Sequence, residues 1–142
     1  MRRAERTQAE RRRAIHEVGH LLATEGKLEA ARRVFSGWIA IEPDDAYAHL
    51  ALGWIHRRAG RRAEARTALR RVLELAADSA SRLGTEADLA WRAAIALAEL
   101  ELAAGSHDAA SRVLGDRIRW SGGEIPETIA SRVSALVTIA SR

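Results

Sequence analysis

Shifted against itself by 34 residues, the sequence meets residues of its own kind: Gly19 falls on Gly53, Gly26 on Gly60 and Ala31 on Ala65. Val18 meets Leu52, Phe35 meets Leu69, Ile39 meets Leu73 and Ile41 meets Leu75. Small matches small and large apolar matches large, at a period that belongs to stacked supersecondary units. Each such unit has an apolar face that only a neighbouring unit can bury, so the period constrains the whole fold before any single motif is considered.

Within the period the apolar spacing is helical. Ile15, Val18, Gly19 and Leu22 form one face, Glu25-Gly26-Lys27 breaks it, and Ala31, Phe35, Trp38 and Ile39 resume it until Pro43. The second unit repeats this with Leu52, Gly53 and Ile55, a turn at Ala59-Gly60-Arg61, then Ala65, Leu69, Val72 and Leu73. Gly19, Gly53, Ala31 and Ala65 let paired helix backbones approach where larger side chains would hold them apart. Two prolines, one Phe and a heavy content of Ala, Leu, Arg and Glu agree with an all-α chain. A third, degenerate unit follows with Leu97-Ala98, Gly105, then Ala110 and Leu114, and its turn glycine comes 45 residues after Gly60 instead of 34. The eleven added residues lie around Ser79 to Leu89, where Ser81 to Gly84 reads as a helix exit and Thr85 to Asp88 as a capped helix start. The third unit is therefore expected to open on a long helix, about Glu86 to Ala104. After Ser121-Gly122-Gly123, Pro126 opens a last helix with Ile129, Val133, Leu136, Val137 and Ala140 on one face, a terminal cap.

These residues resemble the tetratricopeptide repeat. Ile15, Val18, Gly19 and Leu22, then Ala31, Phe35 and Pro43, stand at that family's small, apolar and turn positions, while Ile15, His49, Leu22 and His56 stand where it often has Trp or Tyr. The expected architecture is an array of three helical hairpins, at about 12–45, 46–79 and 86–121, closed by a helix at about 125–141. Residues 12–142 form one domain in this reading, preceded by an Arg-rich arm or helix extension at 1–11. The resemblance implies that the first helix of each hairpin lines a concave groove. Its side chains would be Arg13, His16, His20 and Thr24 in the first unit, Tyr47, Leu50, Trp54 and Arg58 in the second, and Arg92, Ile95, Glu99 and Ala103 in the third.

A merely solvated helix face would be polar, yet Tyr47, Leu50 and Trp54 stand beside the core stripe of the second unit, and Trp and Tyr are common interface anchors. The family's carboxylate clamp of Lys, Asn and Arg is not reproduced: His16 and His20 occupy clamp positions, Ala51 replaces an Asn, and Arg92 alone matches a basic residue. An extended apolar segment of a partner polypeptide fits this groove better, with His16, His20, Arg58 and Arg92 at its edges and Glu99 beyond. Three repeats, an N-terminal helical extension, an apolar groove and a closing helix also resemble the class II chaperones of bacterial type III secretion. That resemblance implies a chaperone holding a translocator segment in the cytoplasm. A homodimer or homo-oligomeric scaffold is the alternative.

Charge and motif narrow the other classes. Net charge is +4, and residues 1–13, with six Arg and two Glu, account for all of it. Residues 57–71 carry seven Arg against one Glu, but acidic stretches flank them, so exposed arginines on helices explain the pattern better than a nucleic-acid footprint does. No apolar stretch approaches the roughly 20 residues that span a bilayer, and no cysteine offers a disulfide or thiolate ligand. His16-Glu17-Val18-Gly19-His20 spells the zinc-hydrolase pattern H-E-x-x-H. No third His follows at the extended spacing, and Val18 and Gly19 already belong to the repeat. The expectation is a protein without catalytic residues, metal or cofactor.

Overall fold

The computed structural model describes residues 2–78 and 85–142. They form seven α-helices and, among the described residues, no strand: α1 Arg3–Thr24, α2 Leu28–Ile41, α3 Ala46–Arg58, α4 Arg62–Asp78, α5 Thr85–Ala103, α6 His107–Trp120 and α7 Glu127–Ala140. This is the expected all-α array, with α5, at 19 residues, as the long helix of the third pair. The helix exit expected at Ser81 to Gly84 lies outside the described residues.

The three hairpin turns are the same turn. Gly26, Gly60 and Gly105 have φ of 81°, 79° and 80°, a left-handed conformation that costs a residue with a side chain about 1 kcal/mol or more. At each, the next residue's N–H reaches back to close the helix: Lys27 to the Leu22 carbonyl (2.9 Å), Arg61 to His56 (2.8 Å) and Ser106 to Glu101 (2.8 Å). This closure satisfies carbonyls that the helix end would otherwise strand. The common turn confirms the third hairpin that the sequence shows only in degraded form.

Packing divides the chain into two compact units, Met1–Ala68 and Leu69–Arg142, with the boundary inside α4. In the first, Ala23, Phe35, Trp38, Ala48, Leu52 and Ile55 form the core, with Ile15, Leu22 and Tyr47 packed against it. Gly19 lets α1 approach α2, for a Cβ placed there would lie 2.5 Å from the Phe35 ring. The Arg-rich start is helical from Arg3, and it is tied down: Gln8 Nε2 donates to Glu42 Oε1 (2.7 Å), and Arg12 reaches the same oxygen at 3.2 Å. In the second unit Trp91, Ile95, Ala98, Leu114, Val133 and Leu136 form the core. Helix α7 packs on both α5 and α6 as the cap.

Two assignments to the repeat core need correction. Val18 and Ile41 are largely exposed. The inward side of α1 is Ile15, Gly19, Leu22 and Ala23, and Val18 falls off that stripe. Ile41 is the last residue of α2, just before the chain turns away at Pro43.

The two glycines inside the first helix pair should respond oppositely to alanine. Gly19→Ala pushes a methyl into a buried ring and should destabilise by about 1–3 kcal/mol. At Gly37 an added Cβ would meet nothing within 4 Å, so Gly37→Ala should gain about 0.5–1 kcal/mol from helix propensity. Denaturant titration of both variants reads the difference, and equal effects would contradict the close approach of α1 and α2.

Candidate functional site

The surface shared by α1 and α3 is set by one carboxylate. Asp45 is the N-cap of α3, its side chain accepting from the Ala48 N–H at 3.4 Å. Its Oδ2 also pairs with His16 Nε2 of α1 (2.6 Å) and accepts from the Trp38 indole of α2 (2.7 Å). Burial alone would push this carboxyl up. The hydrogen bonds from His16 and Trp38, the charge of His16 and the Ala48 N–H outweigh it and hold Asp45 below the usual carboxylate range. The His16 ring lies against Tyr47, centroids 4.3 Å apart, and Tyr47 in turn approaches buried Phe35 at 6.3 Å.

The expected groove residues therefore divide. His16 is half-buried with its Nε2 engaged, and Tyr47 is packed against the core. Leu50 is half-buried, while His20, Trp54 and Arg58 are exposed. The Arg58 guanidinium lies 4.8 Å from the Trp54 ring centroid, covering one face of an indole that is still 43% exposed. In the second unit, Arg92 is exposed and paired with Asp88 one turn away at 3.0 Å, and half-buried Glu99 accepts from Arg132 of α7. Ile95, expected on an open face, is instead a core residue of the second unit. The correction has a local cause: α5 is apolar almost all round, and Leu89, Ala90, Trp91, Ala93, Ala94, Leu97 and Ala98 are buried with it.

The side chains of the H-E-x-x-H segment differ in their surroundings. His16 is bound to Asp45, whereas Glu17 and His20 are exposed. Among the described residues no group of three or more His, Asp or Glu side chains is placed to hold a metal ion.

Two residues escaped the sequence. Asp45 carries an obvious helix-start signal, but its bond to His16 spans 29 residues with no local trace. Arg117 lies within a degenerate repeat, yet it is buried, its Nε lacks a hydrogen-bond partner, and burial lowers its pKa. It borders a cavity of about 300 Å³ lined also by Leu73, Leu97, Val113 and Trp120.

Residues 22–89 match the tetratricopeptide repeat family, a stretch that runs from the end of α1 to the start of α5. Over those residues the chain is similar to tetratricopeptide repeats. No curated protein matches it. The tetratricopeptide match agrees with the period of 34 and with the recurrent glycine turn.

Asp45 yields a prediction with a definite sign. Asp45→Ala strands the Trp38 N–H and uncaps α3, and should cost about 1–3 kcal/mol near neutral pH. Because the folded pKa is lowered, the carboxylate's contribution is fully present above the unfolded value of about 3.9 and is lost as pH falls through the folded one. Denaturation across acid pH should therefore show a shallower loss for Asp45→Asn than for the wild type; parallel curves would contradict the assignment.

Proposed function

We propose that the chain is a non-enzymatic adaptor that receives an extended, apolar segment of a partner polypeptide on the surface shared by α1 and α3. The observation that carries this reading is Trp54. Helix α3 already buries Ala48, Leu52 and Ile55, so its core face is complete without the indole. An exposed Trp with an Arg stacked on one face has the composition of an interface anchor. Leu50 and the edge of Tyr47 extend an apolar strip along the same helix, and His20 and Arg58 supply donors at its margins for a partner's backbone carbonyls.

The finer version of this reading is a chaperone of type III secretion that keeps a translocator segment soluble in the cytoplasm. Its support is the set of three hairpins with a closing helix; the burial of Ile95 removes one apolar residue from the surface that resemblance implies. The absence of catalysis is part of the proposal, since a zinc ion at His16 would have to compete with the Asp45 hydrogen bond.

The test begins with peptides selected from a displayed random library on the purified full-length protein. Apolar extended sequences should emerge, and calorimetric affinity for them should fall by roughly 2–4 kcal/mol in Leu50→Ala/Trp54→Ala. The thermal midpoint should change far less than the affinity. Equal binding by the double variant would remove this surface from the mechanism. Metal-dependent peptide hydrolysis that disappears in Glu17→Gln would overturn the non-enzymatic assignment.

A further inference from the structure

Helix α3 buries Ala48, Leu52 and Ile55, at 0%, 8% and 1% exposure, within the core it shares with α1 and α2. One period earlier, Ala14, Val18 and Leu21 occupy the same places on α1 with the same spacing. There Ala14 is exposed, Val18 is 51% exposed and Leu21 is 58% exposed. The same apolar face is thus covered on the second hairpin and bare on the first. A terminal helix can instead present polar residues: α7 turns Ser131, Ser134 and Thr138 to solvent, with Val137 and Ile139 at the margins.

We propose that this face is closed by a second copy of the chain, α1 packing antiparallel on α1 about a two-fold axis near Val18. Charge selects the occupant. Arg11 and Glu25 are exposed and each lies seven residues from Val18, about two helical turns in opposite directions. An antiparallel copy places Arg11 of each chain level with Glu25 of the other and sets small Ala14 near bulky Leu21. A parallel copy would place Arg11 against Arg11. Glu25 Oε2 lies 3.3 Å from Lys27 Nζ, both exposed, a contact cheaply given up. The arrangement is isologous, so it closes at two chains and does not propagate. The face lies on a different side of α1 from His16 and His20, so its failure would leave the Trp54 surface untouched.

Sedimentation velocity of the full chain, over a range of concentrations, tests the pairing. The wild type should have a mass twice 15.5 kDa. Val18→Glu/Leu21→Glu should be monomeric with an unchanged helical circular dichroism spectrum, since neither side chain is core. Arg11→Glu should weaken the dimer by about tenfold, through two like-charge contacts, and adding Glu25→Arg should restore it. A monomeric wild type would overturn the proposal and leave the face to a foreign helix. A dimer that survives the double glutamate variant, or a charge swap that fails to restore pairing, would also overturn it.

Discussion

The first compact unit depends on a single buried carboxylate that serves three helices at once. Asp45 caps α3, holds the α1 imidazole and accepts the α2 indole N–H, and its side chain is only 6% exposed. An ion in such a place is costly unless its lone pairs are filled, and here three donors fill them. The geometric consequence is larger than the energetic one. Hydrophobic contacts such as those of Phe35 and Leu52 would tolerate small rotations of α1 against α3, whereas directed hydrogen bonds to one oxygen do not. They decide which residues of the two helices emerge side by side.

That polar junction is not part of the repeat. One period later, His16, Trp38 and Asp45 become Leu50, Val72 and Ser79, residues that cannot reproduce it. A repeat period therefore carries what the units have in common and is blind to what ties one particular pair together. The glycine turns were legible because a left-handed φ needs a particular residue at a particular place, and Gly26, Gly60 and Gly105 supply it. The long α5 was legible from the eleven added residues. The His16–Asp45 bond was not, since neither residue's type nor spacing announces a partner so far away in sequence.

The misplaced side chains share a cause. Periodicity shows that a position is apolar, but its burial depends on whether a neighbour exists on that side. Val18 and Leu52 are equivalent by sequence and opposite in exposure. Ile95 errs the other way: the family pattern assigns its position to an open face, yet it lies in the core of its unit with Trp91, Ala98 and Leu114. Trp54 is the case in which pattern and structure agree, because the core stripe of α3 is complete without it.

The pentapeptide His16 to His20 shows why a linear motif on a helix has to be judged face by face. A metal-binding H-E-x-x-H needs both imidazoles free on one side and the Glu beside them. Here the five residues serve different surfaces. His16 belongs to the junction with α3, Glu17 to solvent, Val18 to the outward apolar face, Gly19 to the contact with Phe35, and His20 to the exposed margin near α3. Glycine is the most restrictive of the five, since the 2.5 Å approach to the Phe35 ring excludes even a methyl group without displacement. The packing of α1 thus gives His16 and Gly19 structural contacts of their own within a string that spells H-E-x-x-H.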